Sequence, residues 1–238
     1  MKDYKILSDF LEKYGYSLKE EQTDQLECYY NRLIEANKVM NLTAITEFDQ
    51  VLEKHFLDSA AIISAFDIKK VESLADVGTG AGFPGLPLKI LFPHLRVLLA
   101  DSLQKRVNFL NSLIEELKLT DISVIHGRAE DIGHNNQFRE KYDVVVSRAV
   151  ARLSTLTELC LPLVKREGYF LPYKTENSKD EIKESEKAFE ILGAKLISVE
   201  ERKIGPSELN RSFPIIKKTK NTPIKYPRKA GTPSKKPL

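Results

Sequence analysis

LADVGTGAGFPGLPLKI, residues 74–90, crowds six glycines and prolines between Gly78 and Pro87, directly after an apolar run. LADV reads as a buried strand, and a helix opens near Pro84, where proline suits the first turn. Between them the bare backbone tolerates positive φ and lets a ligand come close, while the helix start offers free N–H groups. In an open α/β sheet, ligands sit beyond the carboxyl ends of the strands, so this loop marks both the fold and a binding site.

Working outward, short apolar runs alternate with helical stretches: RVLLA (96–100), a helix from about Gln104 to Leu117, ISVIH (122–126), YDVVVS (142–147) and a helix from about Ser154 to Val164. GYFLPY (168–173), a charged helix from about Lys179 to Leu192, AKLISVE (194–200) and SFPIIKK (212–218) complete the series. That alternation predicts βαβ units in a mostly parallel sheet covered on both faces, with the last two strands as an antiparallel hairpin at the edge. The first 65 residues read as helical, with Ser17 and Glu20 as a capping box, a stripe through Leu26, Tyr29, Tyr30, Leu33 and Ile34, a break at NLTAI (41–45) and a further helix from about Phe48 to Ala65. The expected division is a helical extension over 1–66 packed on the core, a Rossmann-like domain over 67–218 and a basic, proline-rich tail over 219–238.

Composition narrows the classes. The 238 residues are 42% hydrophobic and 30% charged, which suits a soluble globular chain. No apolar run approaches the roughly 18 residues that span a bilayer. Cys28 and Cys160, far apart, read as reduced core thiols of a cytoplasmic protein. The net charge of +3 hides an asymmetry: Lys217–Leu238 carries eight Lys or Arg and no acid, leaving −5 on the other 216 residues. A basic extended segment favours phosphate-rich partners, and a merely solvated tail is the alternative.

Two ligand classes use such a glycine loop. Gly80-Ala-Gly82-Phe-Pro-Gly85 satisfies the dinucleotide pattern G-x-G-x-x-G, a weak signal alone. Asp76, two residues before the first glycine, repels a pyrophosphate but suits a cofactor carrying an ammonium and a sulfonium. Asp76 through Gly82 resembles the D-x-G-x-G-x-G motif of class I S-adenosylmethionine-dependent methyltransferases. Asp101 ends the next strand, 19 residues past Gly82, where a carboxylate takes ribose hydroxyls, and Glu130 and Asp131 follow the third strand, placed for an adenine amino group. No metal is implied.

The acceptor is constrained by what stands after the fourth strand. That position reads VVVSRAVARL, without the [DN]-P-P-[YF] motif of exocyclic-amine methylation, and Cys160 lies among leucines rather than as a nucleophile. Arg148 at a strand's carboxyl end can pair with a carboxylate or a guanine edge, with an ion pair to Asp76 or Glu130 as the structural alternative. Guanine N7 has an in-plane lone pair and no proton to lose, so its methylation needs no general base.

NLTAI at 41, KHFLDS at 54, DVGTGAGFPGLPLKI at 76, DSLQKRVNFL at 101, GRAED at 127, SRAVARL at 147, LCLPLVK at 159 and NTPIKYPRKAGTP at 221 together resemble the bacterial guanine-N7 methyltransferases of small-subunit ribosomal RNA, known as GidB or RsmG. The resemblance implies a monomeric class I methyltransferase acting on a guanine of the decoding-site (530) loop of 16S ribosomal RNA, the position the family knows as guanine 527, within a small-subunit particle. Carried over residue by residue, it puts S-adenosylmethionine at Gly78, Gly80, Ala81, Phe83, Asp101, Ala129, Glu130 and Arg148, with Arg148 also catalytic. RNA contact is expected at Lys174, Lys225, Arg228 and Lys229. Asn41, His55 and Asp58 are family positions without a derivable role. Tyr173 and Ala230 depart from the family pattern, and Pro172 suggests a bulge or an edge strand. A NAD-dependent oxidoreductase, a non-catalytic RNA-binding module and a small-molecule methyltransferase remain as competing readings.

Overall fold

The computed structural model describes residues 2–175 and 178–238. Seven strands form one sheet: β1 (Ser73–Val77), β2 (Arg96–Asp101), β3 (Ile122–His126), β4 (Tyr142–Arg148), β5 (Val164–Tyr173), β6 (Ala194–Ile204) and β7 (Leu209–Lys218), in the order β3-β2-β1-β4-β5-β7-β6. Strands β1 to β5 pair in parallel, and β7 runs antiparallel to both β5 and β6. The expected hairpin of β6 and β7 is present, with β7 lying between β5 and β6 and β6 left at the edge.

Alternating side chains of the inner strands feed two cores, one on each face. Leu74, Val97, Leu99, Val144 and Val146 pack on one side, while Ala75, Val77, Leu98, Ala100 and Val145 pack on the other. Burying a side chain of this size is worth roughly 1.5–3 kcal/mol. The first face is covered by α5 (Gly85–Leu91), α6 (Gln104–Glu116) and the N-terminal helices α1 (Lys5–Lys13) and α2 (Glu20–Met40). The second carries α7 (Ala129–His134), α8 (Leu153–Cys160) and α9 (Lys179–Ile191).

The N-terminal helices reach the glycine loop itself. Leu26, Tyr29 and Leu33 of α2 are fully buried, and the Tyr29 hydroxyl donates to the Ala81 carbonyl at 2.7 Å. The helix does not start on the expected Ser17–Glu20 box. It begins at Glu20, and the Gln22 side chain accepts from the Lys19 N–H at 2.9 Å while donating to the carbonyls of Ile90 and Leu91. A tertiary anchor at Gln22 thus replaces the local one. Further on, α3 (Phe48–Val51) passes into a π-helical stretch, Leu52–Leu57, then α4 (Asp58–Ala60) and a 3₁₀ turn, Ala61–Ser64. Such π segments are uncommon and cluster at functional sites.

Pro172 lies on an interior strand, not an edge. The register Phe170–Ile216 and Lys174–Ser212 places it opposite Pro214, and the β5–β7 ladder is interrupted between those pairs, where neither proline has an N–H to donate. The C-terminal segment is folded against the core and ends in α10 (Thr232–Lys235). No helix among the described residues is long and apolar enough to cross a membrane.

Candidate active site

The sheet order reverses between β1 and β4, and the glycine loop leaves β1 at that point. Gly78 and Thr79 donate their N–H groups to the Ala100 carbonyl, and Gly80 donates to Oδ2 of Asp101 at 2.9 Å. Gly78 has φ +74°, and a Cβ there would stand 2.5 Å from a Val150 methyl, so only glycine fits under that side chain. Beside it a Cβ on Gly80, φ +63°, would meet nothing within 4 Å.

Two cavities of about 420 and 430 Å³ open on either side of Val150, and both are lined by Gly78, Asp101, Ser102 and Val150. Ala129 and Glu130 line the first; Gly80, Ala81, Phe83 and Arg148 line the second. All eight residues expected at the cofactor therefore converge on one divided cleft. A larger hollow of about 540 Å³, lined by Arg96, Ile122 and Tyr142, lies at the opposite, amino ends of the strands.

Asp76 behaves differently from its expected role beside a cationic ligand. Its carboxylate is fully buried under the loop, where Oδ2 accepts from the Thr79 hydroxyl at 2.7 Å and from the Gly85 N–H at 2.8 Å. Burial pushes its pKa up to about 6. The strand delivers this side chain beneath the helix start rather than into the cleft, so it shapes the loop. Its Oδ1 is a buried acceptor without a hydrogen-bond partner. Asp101 is 4% exposed and is also engaged, with Oδ1 accepting from the Leu103 N–H and Arg106 at 3.4 Å from Oδ2.

Arg148 pairs with neither Asp76 nor Glu130. Its Nη1 donates to Oδ2 of Asp58 at 2.7 Å and to the Lys54 carbonyl at 3.2 Å, and its guanidinium lies 5.1 Å from the Phe83 ring centre. Asp58 is fully buried and accepts as well from Nε of Arg211, on β7, at 2.6 Å. One carboxylate thus holds two guanidiniums. The sequence signal for it is KHFLDS, which places His55 and Asp58 three residues apart on one helix face.

His55 stacks on Phe83, ring centres 4.5 Å apart, and Phe83 in turn stacks on Tyr29 at 5.3 Å. Phe83 is thus largely a core aromatic, 6% exposed, with one edge at the cleft. Nδ1 of His55 faces the Lys54 carbonyl at 3.0 Å and Nη2 of Arg148 at 3.5 Å, and Nε2 lies 2.9 Å from the Thr43 hydroxyl, whose oxygen accepts from the Ile45 N–H. Burial, and then the Arg148 charge, lower the His55 pKa to about 4, so the imidazole is neutral.

The expected RNA contacts separate into two kinds. Lys174 donates to Glu181 at 2.8 Å and to the Ala151 carbonyl, and Arg228 forks onto the fully buried Glu158. These two cations are bound into the fold, Lys174 by a partly exposed acid and Arg228 by one that is fully buried. Lys225 and Lys229 are exposed. Cys160 is fully buried and its thiol pKa is pushed well up, so it is no nucleophile.

The cleft fits S-adenosylmethionine on two counts. The loop leaves open space above Gly80 that any side chain would fill, and the lining joins the half-buried backbone of Gly78 and Gly80 to the carboxylates of Asp101 and Glu130. Among the described residues no cluster of His, Cys, Asp and Glu could hold a metal ion.

The model of the GidB family, described as rRNA small subunit methyltransferase G, matches residues 22–210. The chain is 51% identical over 238 residues to Ribosomal RNA small subunit methyltransferase G of Lachnoclostridium phytofermentans, covering 100% of this chain and 98% of that one. It is 50% identical over 230 residues to the protein of the same name from Lactobacillus acidophilus, covering 96% of each. Among solved structures it resembles M. jannaschii TYW2 in complex with AdoMet, with TM-score 0.56, 19% identity, and 69% of this chain and 77% of that one covered. It also resembles the Methanococcus jannaschii fibrillarin pre-rRNA processing protein, with TM-score 0.52, 20% identity, and 68% and 74% covered. These structural likenesses show a shared class I methyltransferase fold.

Proposed function

The chain belongs to the rRNA small subunit methyltransferase G family, and on that premise we propose that it transfers a methyl group from S-adenosylmethionine to N7 of a guanine in the decoding-site loop of 16S ribosomal RNA. It is an S-adenosylmethionine-dependent methyltransferase; N7 and the decoding-site guanine are our finer reading. The substrate form we favour is a small-subunit particle in the cytoplasm, met by a monomer, because a chain of this size has little surface for reading RNA sequence.

The observation that carries the reading is the set of titratable side chains at the Arg148 half of the cleft and the hydrogen bonds that occupy them. The titratable side chains among the described residues that line it are His55, Asp101, Arg106 and Arg148. His55 is neutral with both ring nitrogens engaged, and Asp101 is held by Gly80 and Leu103. Nothing there is poised to take a proton, which suits an acceptor that has none to lose. S-adenosylmethionine supplies, when bound, an electrophilic methyl on a sulfonium. The chain's part is placement: the Gly78–Ala81 backbone shapes the cofactor side, and the Arg148 guanidinium, fixed by Asp58, can donate to a guanine O6 and orient N7.

The test uses methyl-labelled S-adenosylmethionine and small subunits lacking their native modification, followed by digestion and identification of the labelled nucleoside. Label on 7-methylguanosine is expected. Label on another base keeps a methyltransferase and removes the N7 assignment, and label on no RNA removes the ribosomal substrate.

A further inference from the structure

Residues 219–238 read from composition as a free basic arm, yet they are docked along the face that carries Glu130. Arg139 donates to the carbonyls of Gly133, Tyr226 and Thr222 at 2.7–2.9 Å, tying the segment to α7. The pyrrolidine of Pro227 packs so close to Gly133 that a Cβ there would lie 2.7 Å from it. Arg228 clamps Glu158 of α8 through Nε and Nη2 at 2.9 and 2.6 Å, and its Nη2 also donates to the Lys236 carbonyl at 2.8 Å. The Thr155 hydroxyl, buried on α8, donates to the Pro233 carbonyl at 3.1 Å. Glu158 is 0% exposed, so this clamp neutralises an acid that the fold otherwise leaves in an apolar interior.

What the docking delivers is a turn at the cleft. Gly231 and Ser234 line the same 420 Å³ cavity as Gly78, Asp101, Ala129 and Glu130. The Gly231 N–H donates to Oε1 of Glu130 at 2.9 Å, across 101 residues of sequence. A carboxylate expected to receive a ligand group is therefore oriented by the chain's own C-terminal turn.

We propose that the C-terminal turn, residues 231–235, is a wall of the cofactor cleft that orients Glu130, so that docking of the tail and binding of the cofactor are linked. This rests on the reading of the cleft as the S-adenosylmethionine site. It differs from the reading of the tail as a free basic arm: the turn acts on the cofactor, and any RNA contact by Lys225 and Lys229 is an addition to that role. Linkage is reciprocal, so a ligand that needs the wall also holds it in place.

The experiment measures S-adenosylhomocysteine binding by calorimetry to the full chain and to a chain ending at Ala230, which keeps Arg228 on Glu158. The expected result is affinity lower by roughly tenfold, about 1.4 kcal/mol, in the shortened chain with its unfolding cooperative. Equal affinity in the two chains overturns the proposal while leaving the cofactor reading intact, and no binding to the full chain overturns both. A second measurement needs no variant. Trypsin cleavage after Lys229 and Lys235 of the full chain should slow when S-adenosylhomocysteine is added, and an unchanged cleavage rate refutes the linkage.

Discussion

Replacing Asp58 by Asn should cost more stability than removing Arg148, although Arg148 is the residue at the cleft. The side chains of Asp58, Arg148 and Arg211 are 0%, 14% and 20% exposed, so the carboxylate is the sole desolvated member and both cations depend on it. Asn keeps the shape, removes the charge and turns an amide donor toward guanidinium donors. Breaking a buried pair from one side costs about 3–5 kcal/mol, and the partial exposure of the arginines puts this case near 3. For a chain of this length that lowers the melting temperature by roughly 6–12 °C. Arg148→Ala leaves Asp58 held by Nε of Arg211 at 2.6 Å and Nη2 at 3.3 Å. It forfeits two hydrogen bonds, to Asp58 and to the Lys54 carbonyl, and a ring contact, about 2 kcal/mol. Urea unfolding of both single variants and the double variant gives the cycle, and the losses should fall short of additivity by about 1 kcal/mol. Methyl transfer should vanish in Arg148→Ala while that protein stays folded. If Asp58→Asn proves no more destabilising than Arg148→Ala, or the losses add, the shared-carboxylate account is wrong.

Asp101→Ala should weaken S-adenosylhomocysteine binding by about 1.5–3 kcal/mol, the scale for hydrogen bonds to a charged group; wild-type affinity in calorimetry would remove Asp101 from the site. Gly78→Ala must hold alanine at φ +74° with its Cβ against Val150, so ligand binding should be lost for a stability change of only about 1–2 kcal/mol. In urea titrations between pH 4 and 6, His55 (lowered to about 4 from 6.5) binds protons more readily unfolded, so its contribution to stability falls as pH drops, whereas Asp76 (raised to about 6 from 3.8) binds them more readily folded, so its contribution falls as pH rises. His55→Gln should therefore leave stability decreasing with pH in that window and Asp76→Asn should leave it increasing, each by up to about 1.4 kcal/mol per pH unit; identical slopes would refute both assignments.

The strands were legible because burial on two faces leaves a continuous apolar run, as in YDVVVS, and the loop was legible because six glycines and prolines in one stretch have few other uses. The residues that organise the cleft were less so. Asp58 and Arg211 are 153 positions apart, and nothing local in either predicts that the short helix after a π-helical stretch and a hairpin strand will bring them together. The tail misled for a specific reason. Eight cations without an acid read as solvated, yet the acid that Arg228 needs lies in LSTLTELC, where Glu158 sits in an otherwise uncharged, fully buried helix. An acid in such a helix requires a cation, and that was the signal available. Asp76 misled in the opposite sense, since its place in the motif is as expected but its carboxylate serves the loop.

The parts that hold Arg148 come from outside the parallel sheet that bears it. Asp58 and the Lys54 carbonyl belong to the N-terminal helical extension, Arg211 to the antiparallel hairpin, and Phe83 to the loop that Tyr29 of the extension pins from below. The half of the cleft with Ala129 and Glu130 is closed instead by the C-terminal turn. A parallel sheet with a glycine loop explains a cofactor site by itself, because strand ends and helix starts converge at the switch point whatever is attached. It does not explain a guanidinium fixed at the fourth strand's end, where a buried carboxylate must be imported to neutralise it. The added segments therefore serve different ends of one cleft: the extension and the hairpin fix the Arg148 end, where the acceptor needs no base, and the tail closes the Glu130 end. A variant that loosens the extension should then impair methyl transfer before it impairs cofactor binding, and one that loosens the tail should do the reverse.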